Sequence, residues 1–166
     1  MRLDLRKIID NPGAFADFDC ELDTGRLDFP SVSGYAHKPE AHGRVFNEAG
    51  ILRLEGEIIA DMVCICDRCG EEFESTKITE LDVVLASEES EDNPELFLIE
   101  GDSVDLDEVL STCFILDMET KFLCREDCKG LCTACGKNLN LGPCSCRKQT
   151  DPRFAVLEQL LDKNNK

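Results

Sequence analysis

The chain has 166 residues and a formal net charge of −17, with eleven cysteines, two histidines, one tyrosine and no tryptophan. That length accommodates one ordinary domain or a domain with a small appended module, and no stretch approaches the length needed to span a bilayer. Such acidity argues against a general phosphate-binding surface, and apart from nine phenylalanines there are few aromatic platforms on which single-stranded RNA could stack.

In chain order, residues 2–8 (RLDLRKI) alternate apolar and polar side chains, as a half-buried strand does. Residues 11–43 hold Pro12, Gly13, Gly25, Pro30, Gly34, Pro39 and Gly43, which predicts turns around at most one or two short strands. Segments 44–49, 51–64 and 72–86 then have strand character, with Leu52 and Leu54 alternating with Arg53 and Glu55. A turn at Asn47–Gly50 joins the first two, and Cys66–Gly70 joins the last two into an antiparallel hairpin. Residues 87–94 (SEESEDNP) have almost nothing to bury and read as an acidic loop, followed by a strand over 95–99. Asp105, with Glu108 three positions on, can cap a helix near 105–118, whose core stripe is Leu106, Val109, Leu110, Cys113 and Phe114. Thr150-Asp151-Pro152 opens a second helix with Phe154, Leu157, Leu160 and Leu161 on one face, and the polar tail from Asp162 frays.

Six of the eleven cysteines lie in CREDCKGLCTACGKNLNLGPCSC, residues 124–146. Cys132 and Cys135 form a Cys-x2-Cys turn followed by Gly136, and Cys144 and Cys146 can add two more sulfurs to one ion. Zinc accepts four thiolates in a tetrahedron with no geometric preference of its own, so short loops can wrap it. Cys66 and Cys69 repeat the Cys-x2-Cys-Gly turn at the hairpin tip, but two ligands do not close a structural zinc site. Cys124 and Cys128 are the expected partners, with Cys64 as a possible replacement for one of them. Disulfide or redox use of the clusters is the competing chemistry. A disulfide scaffold is disfavoured by the odd cysteine count and by a start, MRLDLRKIID, that lacks an apolar signal core. Cys20 and Cys113 read as ordinary buried thiols.

The acidity is uneven: between residues 71 and 119 the only Lys or Arg is Lys77. The cysteine-rich stretch is locally basic through Lys121, Arg125, Lys129, Lys137, Arg147 and Lys148, an advantage that thiolate-bound zinc would largely offset. Lys129, Lys137, Arg147 and Lys148 are the candidate contacts to RNA or to another partner. No phosphate loop, nucleotide fingerprint or nucleophile elbow occurs, and His37 and His42 stand apart from every cysteine motif. All-cysteine zinc sites are closed and structural, which argues against a hydrolase or deaminase. The expected fold is α+β: an antiparallel sheet over residues 1–119 that could close in barrel-like fashion, with one packed helix, then a cysteine-rich zinc module and C-terminal helix over 120–166.

The run from Leu123 to Asn140, then Cys144-Ser145-Cys146 and Asp151-Pro152-Arg153-Phe154-Ala155-Val156-Leu157, resembles the large ribosomal RNA subunit accumulation family, also called YceD-like. The upstream Cys66-Asp67-Arg68-Cys69 is similar to that family's internal cysteine motif. A proline common in the family before the first cysteine of the cluster is missing from residues 116–121 (LDMETK). With no bilayer-length stretch the expected location is cytoplasmic, where thiols stay reduced and available to metal, and the resemblance implies a bacterial or organellar factor without established enzymatic activity. It would support accumulation or processing of the large ribosomal RNA, with that precursor RNA or a large-subunit ribosomal protein as partner and with neither a membrane nor a small-molecule substrate. Some family members keep the first Cys-x2-Cys without the C-terminal cluster, which weighs against pairing the two. A thiol-based redox or zinc-responsive regulator is the alternative from a different class.

Overall fold

A computed structural model describes residues 1–86 and 97–146, and the chain divides into a first unit, Met1–Cys124, and a second that opens at Arg125. The first unit holds β1 (Arg2–Asp4), β2 (Phe15–Glu21), β3 (Val32–Tyr35), β4 (Glu40–Glu48), β5 (Ile51–Ile65), β6 (Glu72–Ala86), β7 (Phe97–Leu98), β8 (Ser103–Asp105) and helix α1 (Leu106–Leu116). The expected second helix and the acidic loop lie outside the described residues.

The main sheet runs β2-β4-β5-β6-β7, and a separate two-stranded sheet pairs β1 with β8. Strand β5 is its spine. Residues 51–59 of β5 pair with β4, while Met62–Cys64 pair with β3 on the same side of the spine. The sheet is open, which corrects the barrel-like expectation, and the β6–β7 contact is parallel. A barrel requires edge strands that meet along their length, and β7 offers only Phe97 and Leu98.

Period-two alternation places Leu52, Leu54, Ile58, Ala60, Met62 and Cys64 of β5 in the core, facing Leu81 and Leu85 of β6. Helix α1 covers this face with Leu106, Val109, Leu110 and Phe114, the expected stripe, and Phe114 meets Phe29 edge to face at 6.1 Å. Cys113 and Cys20 are half-buried against the same core. The cap is as expected at Asp105, whose carboxylate accepts from the Asp107 amide at 3.1 Å. At the other end of α1, Asp117 accepts from the buried Thr79 hydroxyl at 2.9 Å and pairs with Lys77, fixing the helix to β6.

One row across the sheet explains a pair of glycines. Phe18, Gly43, Gly56 and Leu81 are successive register partners on β2, β4, β5 and β6. A Cβ on Gly43 would sit 2.2 Å from the Glu55 carbonyl, and one on Gly56 would sit 2.3 Å from the His42 carbonyl. The two strands approach too closely for any side chain, and the Phe18 ring fills the space above Gly43. No helix among the described residues is long and apolar enough to cross a membrane.

Candidate metal centre

Each unit carries a knuckle built by the same backbone pattern. In the first, the Cys66 amide donates to the Glu71 carbonyl at 2.9 Å and the Gly70 amide donates to the Cys66 carbonyl at 2.8 Å. In the second, the Cys132 amide donates to the Lys137 carbonyl and the Gly136 amide to the Cys132 carbonyl, both at 2.8 Å. Gly70 and Gly136 have φ of 71° and 72°, a left-handed conformation that glycine enters without a Cβ penalty. That turn reverses the chain while leaving both cysteine side chains on one side, which is why Cys-x2-Cys is followed by glycine at both sites.

Two groups of cysteines could hold a metal ion. In the first unit the sulfurs of Cys66, Cys69 and Cys124 lie within 4.8 Å of one another, with Cys66 and Cys69 buried and Cys124 half-buried. Asp67 brings these distant segments together. Its carboxylate accepts from the Ser31 hydroxyl at 2.6 Å and from the Phe122 amide at 2.7 Å, and its own amide donates to the Phe122 carbonyl at 2.9 Å. Phe122 is thus held to the knuckle through both backbone groups, two residues before Cys124. The Ser31 hydroxyl and the Phe122 amide hold the Asp67 carboxyl below its ordinary range, because both bonds favour the ionised form.

In the second unit Cys132, Cys135, Cys144 and Cys146 have sulfurs within 4.8 Å of one another, and Cys135 and Cys146 are exposed. Cys128 stands in this unit, four positions along the chain from Cys124. Its amide donates to the Arg125 carbonyl at 3.1 Å, and its sulfur accepts from the Asn140 side-chain amide at 3.3 Å. Asn140 also accepts from the Lys129 amide at 2.8 Å, so one side chain orders the segment that bears Cys128.

The donor chemistry fits zinc. Four sulfurs about 2.3 Å from a tetrahedral ion stand about 3.8 Å apart. The Cys69 and Cys124 sulfurs are 3.7 Å apart, and those of Cys132 and Cys144 are 3.4 Å apart. Thiolates are the metal-binding form, and the local fields favour them at one cysteine of each knuckle. Burial opposes ionisation of Cys66, yet the amides of Cys124, Cys69 and Arg68 outweigh it and bring the thiol down to about 6. The amides of Ala134 and Cys135, helped by the neighbouring thiols, bring Cys132 to about 6 as well. The adjoining Cys135 sulfur and burial push Cys146 up to about 12, so without metal the second cluster keeps its proton there.

Cys64, weighed as a substitute ligand, faces the apolar core at 0% exposure, and burial raises its thiol pKa. Lys129 and Lys137 are exposed on the second unit, and the Lys137 ammonium donates to the Pro143 carbonyl at 2.9 Å. Arg147 and Lys148 lie outside the described residues. Asp67 and Asn140 were not identified as positioning residues from sequence. The place of Asp67 inside a cysteine motif was the available signal, whereas nothing marks Asn140 before its partners are known.

The model of a family described as large ribosomal RNA subunit accumulation protein YceD matches residues 54–161. Uncharacterised proteins of Mycobacterium bovis and of Mycobacterium tuberculosis are 30% identical over 117 residues, covering 68% of this chain and 56% of theirs. The chain therefore spans about half the length of the curated relatives it matches. No solved structure matches it. With the matched region taking in the knuckle at Cys66, both cysteine groups and most of the sheet's spine, the chain belongs to the large ribosomal RNA subunit accumulation protein YceD family.

Proposed function

We propose that the protein is a non-catalytic ribosome-biogenesis factor that supports accumulation or processing of the large-subunit ribosomal RNA, with zinc as a structural element at two four-cysteine centres. Cys132, Cys135, Cys144 and Cys146 would hold one ion. Cys66, Cys69 and Cys124 would hold the other, with Cys128 as fourth ligand, a role supported by its four-residue spacing from Cys124. The all-thiol donor set carries this reading: such sites saturate the ion and leave no position for a substrate or an activated water. Zinc would supply cross-links that secure loops too poor in apolar residues to fold by burial alone. Precursor large-subunit RNA or a large-subunit ribosomal protein is the proposed partner, and the cytoplasm the proposed location. The exposed Lys129 and Lys137, together with Arg147 and Lys148, are the proposed contacts of the cysteine-rich module.

Deleting the gene should lower the ratio of large to small subunits in ribosome profiles and leave precursors of the large ribosomal RNA. An unchanged ratio with mature RNA ends would defeat the biogenesis role. The exposure of Cys135 and Cys146 favours one second reading, a thiol-based redox or zinc-responsive regulator. Metal and thiol content of protein purified without oxygen separates the two, since structural zinc predicts stoichiometric metal that mild oxidant does not release.

A further inference from the structure

We propose that the outer face of the sheet, at the middle of β4, β5 and β6, is a docking surface for a Lys/Arg-rich protein segment. This inference deepens the biogenesis role by choosing protein over RNA as the partner at this face. Two register rows define it: Asp19-His42-Glu57-Glu80, and beside it Asp17-Arg44-Glu55-Asp82. In both rows β5 sets a carboxylate directly opposite a carboxylate of β6, Glu57 against Glu80 and Glu55 against Asp82. Like charges facing each other across a sheet weaken it, so the fold gains nothing from these two pairs.

The cations nearby do not neutralise the face. His42 bonds Glu57 at 2.9 Å, Arg44 pairs with Asp17 at 3.2 Å, and Arg53 pairs with Asp82. Glu80 and Asp19 have no ion-pair partner among the described residues, and Glu55 has only the edge of Arg53 at 4.0 Å. The next row adds an apolar element, Ile59 on β5 opposite Ile78 on β6, and Ile78 is 54% exposed. The same face therefore offers unbalanced carboxylates beside an isoleucine pair in which Ile78 is exposed and Ile59 half-buried. An extended basic segment alternating cationic and apolar side chains complements both features, whereas a nucleic-acid backbone would be repelled. Burial of Ile78 would supply a contact that simple counter-ion condensation lacks.

The test uses the full zinc-loaded chain and a labelled peptide of alternating lysine and valine, with a glutamate-valine peptide and a short RNA oligonucleotide as competing probes. The lysine peptide should bind, weaken with salt, and lose about tenfold in affinity in the E57Q/E80Q double variant. Ile78→Ala should weaken it too, while E126Q/D127N, which removes the same charge elsewhere, should leave affinity unchanged. The E57Q/E80Q protein should melt no lower than the parent, so its weakened binding cannot be ascribed to unfolding. Equal losses in both double variants would show non-specific charge attraction and overturn the proposal, as would RNA binding that E57Q/E80Q alters. In cells, a normal subunit ratio with E57Q/E80Q beside an abnormal one in the deletion strain overturns the docking surface alone. A normal ratio in the deletion strain overturns the biogenesis reading instead.

Discussion

Asp67 shows how one side chain can assemble a metal centre without ligating it. It ties Ser31 and Phe122 to the first knuckle and thereby places Cys124 against Cys66 and Cys69. Asp67→Ala should speed the loss of one zinc equivalent to a chelator and leave the other unchanged, as followed by a colorimetric zinc indicator. Asp67→Asn should rescue part of the effect, because it keeps one acceptor oxygen. The thiols make a second, pH-based prediction. A thiol whose folded pKa is lowered from the ordinary range near 9 to about 6 stabilises the ionised folded state fully above 9, and loses that contribution as pH falls through 6. Apparent zinc affinity should therefore fall more steeply with pH below about 6, where protons begin to compete for Cys66 and Cys132 as well, measured by the same indicator across a pH series. At the β4–β5 turn, Ala49 adopts φ 53° ahead of Gly50 at φ 95°, the pattern for which Asn-Gly is favoured. Ala49→Asn should raise stability by about 0.5–1 kcal/mol in urea unfolding, since asparagine tolerates this conformation better than alanine.

At the scale of elements, the β4–β5–β6 meander sets stability. Gly43→Ala would drive a Cβ to 2.2 Å from a carbonyl at the pinch between β4 and β5, and should cost about 1–3 kcal/mol or more by overpacking. Leu110→Ala, at a fully buried position on α1, should cost about 2–5 kcal/mol by leaving a cavity, and both losses can be read from urea midpoints. Much of this was legible beforehand. The alternation through Leu52 and Leu54 fixes which face of β5 is buried, and the spacing of Leu106, Val109, Leu110 and Phe114 fixes the helix. One or two short strands were expected among the prolines and glycines of residues 11–43, and β2 and β3 are those strands, but their bounds and partners were hidden for physical reasons. Turn residues dominate the local signal there, and β2 is placed by Phe18 packing over a glycine on another strand. The open sheet was equally unreadable, because closure depends on how long the edge strands are after pairing. For the site, Cys-x2-Cys-Gly declared both knuckles, while the contacts of Asp67 and Asn140 join residues far apart in sequence and carry no local signature.

For the whole molecule, division into Met1–Cys124 and a unit from Arg125 predicts separable responses to metal loss. Replacing Cys132 and Cys135 by serine should make residues 125–146 protease-sensitive while the first unit keeps a cooperative unfolding transition, checked by limited proteolysis and circular dichroism. The two knuckles share one backbone design but differ in the distance to the sulfurs that join them. Cys132 meets Cys144 across 12 positions, whereas Cys69 meets Cys124 across 55. That difference becomes a difference in time. During synthesis the downstream knuckle has its full thiol set almost as soon as it is made, but the upstream one must wait, half-equipped, while β6, α1 and the segment to Cys124 are added and folded. Rapid mixing of zinc with the unfolded, reduced chain under refolding conditions should accordingly show a quick local uptake followed by a slower step that keeps pace with formation of the sheet.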